Sequence, residues 1–420
     1  MPKILNIAKW FYPGLRIKRW ISLLVGGIVL ILIAFQFPKQ FLVLKIISYV
    51  IFVFGLLALL AGIFYLLRSF FEAIYPQEKG AALIDIIYKK RFLSKGPRIV
   101  AIGGGTGLST LLEGLKEYTA NIAAIVAVAD EGGSSGRLRE EFGILPPGDL
   151  RNCLVSLAAA PQLMRDLFQY RFTEGGGIKG HSFGNLFITA MTQVTGSFSQ
   201  AIKESSKVLA ISGQVIPSSL QRVRLRAEYA DGTTKEGEDQ IAEFGKFIKR
   251  VLLVPEDVAA NQEAVEAIRC ADMIFLGPGS LFTSVIPNLL IKTISEEIAK
   301  RNVIKLYVTN VMTQPGETDA FTAADHLEML IAHSVPGVVN CCLVNSGRLR
   351  YELLLKYAQE KSFPVIFDRE RIRQKGIVAV EADVVSKTDY LRHDSAHTAR
   401  IVMDIYNNYG KKQWKKLNRT

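Results

Sequence analysis

The sequence predicts an α/β protein in which a doubly wound, three-layer sheet carries a helical insertion and follows a two-helix transmembrane hairpin. Three observations predict this class. Two apolar runs of membrane-spanning length stand near the N-terminus. From Arg98 onward, short apolar runs alternate with helical patterns, as they do where helices cover both faces of a sheet. A glycine cluster joins the first strand of that region to its first helix.

The hairpin is indicated by the apolar runs 20–37 and 46–67, which Pro38 and a polar turn separate. At about 1.5 Å per residue the runs extend about 27 Å and 33 Å, enough to cross a hydrocarbon core. A second span and the lack of a small-residue cleavage site argue against a cleaved signal peptide. Cations before and after the runs place both ends in the cytoplasm. A buried helical hairpin of a soluble domain is the alternative.

These patterns divide the chain into four regions. Residues 1–70 are the hairpin, which meets the membrane through residues 20–67, and 71–97 are a basic connector with a helical pattern at Ala81–Tyr88. The connector's cations either lie on anionic lipid or are solvated. Residues 98–408 are the main domain and 409–420 a basic tail. We therefore expect a multi-pass protein of the cell membrane whose main domain lies in the cytoplasm.

Charge and cysteine content narrow the function classes. Residues 1–98 hold 14 Lys and Arg against three acids, so they carry eleven of the twelve excess positive charges. The remainder of the chain is close to neutral, which argues against nucleic-acid binding. The cysteines Cys153, Cys270, Cys341 and Cys342 have no CxxC spacing and lie in apolar runs, which is typical of buried, reduced thiols.

The main domain has the alternation of strands and helices of a Rossmann-like fold. The predicted strands are Ile99–Ile102, Ile122–Ala129, Phe247–Val254, Met273–Leu276, Ile304–Val308, Val338–Val344 and Val365–Phe367. The predicted helices are Leu108–Glu117, Val258–Arg269, Leu289–Lys300, Ala323–His333 and Leu349–Gln359. Between the second and third strands lies the insertion, with predicted helices at Asp149–Ala159, Met164–Tyr170, Phe183–Val194 and Phe198–Val208 and a strand at Arg222–Tyr229. We expect Arg222, Arg224 and Arg226 of that strand to face solvent rather than phosphate.

The glycine cluster is the first candidate site. Glycine backbones can take positive φ and approach a ligand closely, and a helix that begins near Ser109 would point its positive end at an anion. The spacing is not GxGxxG, because Leu108 stands where the third glycine would be, and no Walker A lysine follows. A phosphate site and a plain tight turn both stay open here. The candidate ligands are Gly103, Gly104, Gly105, Thr106 and Gly107.

Polar, glycine-rich segments follow other predicted strands, where a doubly wound sheet binds its ligands. Asp130 stands where such a fold holds a ribose hydroxyl, but with its neighbouring acid it can equally hold a divalent cation. Asp149 is either a helix N-cap or a substrate ligand. His181 precedes an apolar helix between glycines, which favours a site over a structural role. The remaining candidates are Ser134, Ser135, Asn152, Asn185, Gly277, Pro278, Gly279, Ser280, Asn310, Thr313 and Gln314.

Seven motifs occur in one order: AIGGGTGLS, VADEGGSSGRLR, PPGDLRN, GHSFGN, GPGSLFTS, NVMTQPGET and LRHD. In this they closely resemble the YvcK/CofD-like family over about residues 98–408. One branch of that family transfers a phospholactate from a guanylyl carrier to a deazaflavin precursor with a divalent metal. The other is the bacterial gluconeogenesis factor, which supports cell shape on gluconeogenic carbon and binds UDP-sugars. PPGDLRN, GGSSGRLR and MTQPGET look like the second branch. The chain departs from the family's usual pair of aspartates at Asp130-Glu131, and most members lack the hairpin.

The resemblance implies roles for individual residues. Gly103–Gly107 and Gly277–Ser280 would grip phosphates, Asp130 and Asp149 would hold metal or ribose, and Asn185, Asn310 and Thr313 would fix sugar or base. Tyr357 and Arg392 resemble positions tied to UDP-sugar binding, with Tyr351 as a nearby competitor for the first of them and Arg392 facing the diphosphate.

The resemblance also implies a nucleotide-sugar ligand, Mg²⁺ as the candidate cofactor and no redox cofactor. An envelope-regulating protein is the implied partner, and a homodimer is a candidate assembly. Two functions stay open: a sensor that binds a UDP-sugar of the UDP-N-acetylglucosamine type without turnover, and a metal-dependent phosphotransferase that consumes a guanylyl phospho-carrier.

Overall fold

The computed structural model of the chain describes residues 17–36, 41–74, 91–386 and 390–408. The chain divides into two compact units, Met1–Ile86 and Ile87–Thr420. The helical pattern predicted at 81–88 and the basic tail lie outside the described residues, and the predicted region boundaries remain predictions.

The N-terminal unit contains two helices, α1 (Ile17–Gln36) and α2 (Leu42–Ile74), which pack against each other. A Cβ atom on Gly27 would lie 2.8 Å from the carbonyl oxygen of Gly55, so the two backbones meet at these glycines. Trp20 and Tyr65 stack with ring centroids 4.3 Å apart. Both helices are long and apolar enough to cross a membrane, over 19–36 and 42–69.

The second unit is built on a parallel sheet of seven strands in the order β10-β9-β8-β7-β1-β2-β3. The strands are β1 (Ile99–Gly103), β2 (Ile122–Val126), β3 (Gln214–Pro217), β7 (Met273–Leu276), β8 (Ile304–Val308), β9 (Cys341–Asn345) and β10 (Val378–Ala382). Strands β1, β7 and β8 are buried at every residue, because helices cover both faces of the sheet. The order reverses between β1 and β7, which are adjacent and parallel. Ligands bind at such a switch point in doubly wound sheets.

Two of the strands predicted for this sheet do not belong to it. The segment predicted at Phe247–Val254 forms β6 (Ile248–Val254), which pairs antiparallel with β4 (Arg224–Tyr229); β5 (Thr234–Glu236) completes this separate three-stranded sheet. Its exposed Lys249 and Arg250 fit a sheet with one solvated face rather than a buried parallel strand. The place beside β2 belongs to β3, whose proline is tolerated because β3 is an edge strand.

The segment predicted as a strand at Val365–Phe367 is a loop, in which the Val365 amide donates to the Val311 carbonyl at 3.0 Å. Strand β10 takes the edge position instead. Its residues are only partly buried, so its apolar signal was weak. The Cys341–Asn345 and Ile122–Val126 strands are shorter than predicted, and both are in the sheet.

The helices of the second unit follow the predicted alternation. They are α3 (Gly105–Leu115), α4 (Gly133–Phe142), α5 (Gly148–Leu157), α6 (Gln162–Gln169), α7 (Phe183–Thr195), α8 (Phe198–Val208), α9 (Glu238–Glu243), α10 (Gln262–Cys270), α11 (Ile286–Leu289), α12 (Lys292–Lys300), α13 (Ala323–Ala332), α14 (Tyr351–Gln359), α15 (Arg369–Gln374) and α16 (Ser395–Asn408). A π-helical turn, Leu281–Val285, precedes α11. Helix α3 begins at Gly105 rather than near Ser109, so the glycine loop itself forms the first turn of the helix.

Candidate functional site

A cleft of about 540 Å³ opens at the carboxyl ends of the strands, where β1 and β7 meet. It brings together eleven of the predicted site residues: Gly105, Thr106, Gly107, Pro278, Gly279, Ser280, Asn310, Thr313, Gln314, Tyr357 and Arg392. Tyr351, the competitor of Tyr357, is 69% exposed and does not line the cleft. A cleft of this size is large enough for a nucleotide-sized ligand.

Two glycine loops face each other across the floor of the cleft. A Cβ atom on Gly107 would lie 2.6 Å from the Pro278 carbonyl oxygen, and one on Gly279 would lie 3.1 Å from the Gly104 carbonyl oxygen. Gly105 has a φ of +64°, which favours glycine. The helix N-terminus at Gly104 has no side-chain cap, so the first turn of α3 directs backbone N–H groups toward the cleft.

The loop after β8 holds the second glycine loop in place. The Asn310 side chain donates to the Gly279 carbonyl at 2.9 Å and accepts from the Gly279 amide at 3.2 Å. Gln314 accepts from the same Asn310 amide at 3.1 Å. Thr313 pairs with Phe363 through its backbone N–H at 2.7 Å and its hydroxyl at 2.9 Å. In the structure these polar side chains therefore shape the cleft wall.

Two acids of the cleft wall, the buried Glu317 and the partly buried Glu238, were not predicted as site residues from the sequence. Glu317 accepts a short hydrogen bond from the Ser280 hydroxyl, and burial raises the pKa of its carboxyl group. Glu238, the first residue of α9, also lines the cleft. It comes from the insertion, about a hundred residues along the chain from the acids it meets, so no local spacing could have indicated it.

Three carboxyl groups meet beside the first glycine loop: Asp130, Asp149 and Glu238. Burial, followed by the charge of Asp130, raises the pKa of Asp149 to about 7, although the Gly105 N–H donates to its carboxylate. Burial raises the pKa of Glu238 as well, and the charges of Asp130 and Asp149 add to that shift. The N-cap alternative for Asp149 was wrong: Pro147 occupies the cap, and the Asp149 side chain faces the glycine loop from the first turn of α5.

Glu131 points away from this group. Its carboxylate lies 3.4 Å from a guanidinium nitrogen of the buried Arg139 and 3.2 Å from Arg224. Arg224 also contacts Glu140 at 3.1 Å. Arg222 and Arg224 are exposed and Arg226 is partly exposed, so this face of the strand faces solvent as predicted, and Arg224 in addition pairs with the acidic neighbour of Asp130.

A second, buried polar cluster of predicted site residues does not line the cleft. The Ser134 hydroxyl contacts His181 Nδ1 at 2.9 Å and accepts from Asn185 at 3.1 Å, and all three residues are buried. Burial lowers the pKa of His181, and nearby Arg137 lowers it further. Ser135 packs against Gly148, and Asn152 accepts from Arg151 at 2.7 Å. Gly103, Gly104 and Gly277 adjoin the cleft through the chain without lining it.

His393 is a buried wall residue whose ionisation affects stability. Its Nε2 lies 3.1 Å from the Thr309 carbonyl, and burial lowers its pKa to about 4. The unfolded chain gains a proton near pH 6.5 while the folded chain does not, so stability is lost as pH falls from about 6.5 to about 4, by up to about 3 kcal/mol. Melting curves of wild type and His393→Gln across this range test it: the variant should show the shallower dependence, and equal slopes would contradict the assignment.

Comparison with known proteins gives consistent matches. A family model described as 2-phospho-L-lactate transferase CofD matches residues 99–385. A protein of Nostoc sp. named putative gluconeogenesis factor is 45% identical, over 95% of this chain and 92% of its own length. The gluconeogenesis factor of Bacillus subtilis is 47% identical, over 74% of this chain and 99% of its own. A solved structure of a UPF0052 family protein from Bacillus halodurans matches with a TM-score of 0.71 and 46% identity, over 74% of this chain and 99% of that one. The Nostoc match omits only 5% of the chain and so includes most of the N-terminal unit.

Proposed function

The chain belongs to the CofD family, among relatives named gluconeogenesis factors, and from this premise we propose that it binds a nucleotide sugar of the UDP-N-acetylglucosamine type in the cleft between β1 and β7. As a sensor of that ligand it would support cell shape and envelope homeostasis during growth on gluconeogenic carbon. The observation that carries the proposal is the pair of facing glycine loops at the switch point, with Arg392 among the residues that line the same cleft.

The chemistry of the cleft favours a diphosphate. Apart from the Gly105 N–H, which donates to Asp149, the first turn of α3 offers N–H groups with the positive end of the helix dipole behind them. Arg392 adds a guanidinium group, which can form two hydrogen bonds to phosphate oxygens. Tyr357 lines the same wall, and its hydroxyl accepts from the Leu391 amide at 3.3 Å, which ties α14 to the segment that bears Arg392.

Mg²⁺ is the proposed cofactor for such a ligand. Within the described ranges, no group of three or more His, Cys, Asp or Glu side chains is arranged to hold a metal ion. Mg²⁺ commonly binds one or two carboxylates and completes its shell with water and substrate phosphate oxygens. Asp130, whose carboxylate is also hydrogen-bonded to the Gly132 amide at 2.8 Å, is the proposed protein ligand.

The test of the proposal is a calorimetric titration of the full-length protein in detergent with UDP-N-acetylglucosamine and with GDP, each with and without Mg²⁺. Saturable binding of the UDP-sugar, tighter than that of GDP and without turnover, is the expected result. Metal-dependent release of a nucleoside monophosphate from a guanylyl phospho-carrier, lost in Asp130→Asn, would instead establish the transferase that the family description names.

We further propose that the N-terminal unit anchors the protein in the cell membrane, with the second unit in the cytoplasm. The support is two adjacent apolar helices of sufficient length and the cations on both sides of the pair.

Membrane fractionation tests this anchor. We expect the full-length protein to stay in the membrane pellet after a high-salt or carbonate wash and to require detergent for release, because two spans are held by the hydrophobic effect rather than by charge. A chain that lacks residues 1–70 is the comparison. Recovery of the full-length protein in the soluble fraction without detergent would contradict the proposal.

A further inference from the structure

The mouth of the cleft carries two cations on one aromatic ring. The Lys356 ammonium nitrogen lies 5.3 Å from the centroid of the Tyr390 ring, and the central guanidinium carbon of Arg392 lies 5.2 Å from the same centroid. Tyr390 is 53% exposed, so this arrangement is at the surface. The charged groups of Lys356 and Arg392 are therefore separated by no more than the sum of these two distances to the ring.

Among the residues that the structure describes, neither Lys356 nor Arg392 forms an ion pair with an acid. Across the described parts of the chain, no carboxylate lies within 4.0 Å of Lys356 or Arg392, although Glu360 lies one helical turn after Lys356 and lines the cleft. Two cations on one ring repel each other, and the electron-rich face of the tyrosine ring offsets only part of that repulsion. An anion beside the ring would offset the rest.

The backbone fixes the ring at the edge of the cleft. Arg392 donates its amide to the Tyr390 carbonyl at 3.0 Å, and the Leu391 amide donates to the Tyr357 hydroxyl at 3.3 Å. Leu391, Arg392 and Tyr357 all line the cleft, whereas Lys356 and Tyr390 stand just outside its lining. The Tyr390 ring therefore contacts both Arg392, which lines the cleft, and Lys356, which lies just outside the lining.

We propose that Lys356, Tyr390 and Arg392 form an outer anion subsite that binds a phosphoryl group of the nucleotide diphosphate at the mouth of the cleft. This inference rests on the proposed nucleotide-sugar function and deepens it. Lys356 and Arg392 supply the charges, and Tyr390 is a positioning residue that holds both of them through its ring face. The two glycine loops and these two cations would then bind the same ligand.

The experiment measures the affinity of the full-length protein for UDP-N-acetylglucosamine, UDP and uridine. Lys356→Gln and Tyr390→Leu should each weaken binding of the two phosphorylated ligands by about fivefold, with a smaller loss at high salt, and should leave uridine unchanged. Tyr390→Phe keeps the ring face and should retain most of the affinity. Lys292→Gln is the matched control, because Lys292 is exposed on α12 outside the cleft.

The outcomes separate this subsite from the broader proposal. If wild type binds the UDP-sugar and neither Lys356→Gln nor Tyr390→Leu weakens it, or if uridine binding falls by the same factor, the subsite is overturned and the function stands. If wild type binds no UDP-sugar, GDP and inorganic pyrophosphate are tested instead. Binding of either that depends on Lys356 supports the subsite with a different diphosphate, and the absence of such binding overturns both proposals.

Discussion

Gly107→Ala is expected to abolish nucleotide-sugar binding, with an affinity loss of at least about a hundredfold. The new methyl carbon would lie 2.6 Å from the Pro278 carbonyl oxygen and 2.7 Å from its carbonyl carbon, and neither backbone atom can rotate away. Alanine is the better helix former by about 1 kcal/mol, so the local helix would gain while the two glycine loops are forced apart. Calorimetric titration with UDP-N-acetylglucosamine, beside a melting curve of each protein, measures the effect.

Two further glycine substitutions sharpen that test. Gly177→Ala is the control, because a Cβ atom there meets nothing within 4 Å. Gly105→Val should also weaken binding, but for another reason: its Cβ would meet only Ser284 Oγ at 3.6 Å, while its φ of +64° is strained for valine. If folded Gly107→Ala binds as tightly as wild type, the facing loops are not the phosphate site.

Asp149→Asn is expected to stabilise the ligand-free protein at neutral and alkaline pH. Because the folded pKa of Asp149 is raised to about 7, the carboxyl group costs stability as pH rises from about 4 through 7. Asparagine can still accept from the Gly105 N–H and carries no charge. We expect the free energy of unfolding to increase by about 2 kcal/mol at pH 8 and by less at pH 5, measured as a rise in melting temperature.

Asp231→Asn is the control, because the pKa of Asp231 is lowered in the folded chain whereas that of Asp149 is raised. Hydrogen bonds from Lys246 and Thr233 lower the pKa of this exposed carboxyl group, so its charge favours the folded chain above the unfolded pKa. Its replacement should therefore not raise the melting temperature. A melting temperature of Asp149→Asn that is unchanged or lower at pH 8 would show that Asp149 is not the destabilised acid that its surroundings indicate.

The parts of the fold that the sequence predicted are those with strong local signals. Strands β1, β7 and β8 are short, fully buried apolar runs followed by glycine or polar loops, and parallel strands bring those loops to one edge. The edge strand β10 was missed because its residues are weakly buried, and β3 was missed because it is only four residues long and ends in a proline, which an edge strand tolerates. The 248–254 segment is a strand as predicted, but it pairs with β4 instead of joining the seven-stranded sheet. The pairing partner of a strand cannot be deduced from the residue pattern of that strand alone.

In the candidate site, too, the features with strong local signals were predicted and those that depend on long-range contacts were missed. The glycine loops were predicted because a run of glycines between a strand and a helix is a strong signal within a short stretch of chain. Glu238 was missed, since its place beside Asp130 and Asp149 arises only when the insertion folds over the sheet. The opposite directions of Asp130 and Glu131 were also hidden from the sequence, because Arg139 and Arg224 that bind Glu131 lie on two separate elements.

The two hydrogen bonds between Asn310 and Gly279 have a consequence for the time course of ligand binding. Since the side chain of Asn310 already bonds both the N–H and the carbonyl of Gly279, we expect the second glycine loop to keep one conformation before any ligand arrives. Little conformational entropy is then lost on association, and no slow rearrangement of this wall has to precede it. Association at this wall should therefore follow a single exponential whose rate rises linearly with ligand concentration, and stopped-flow mixing with UDP-N-acetylglucosamine measures it.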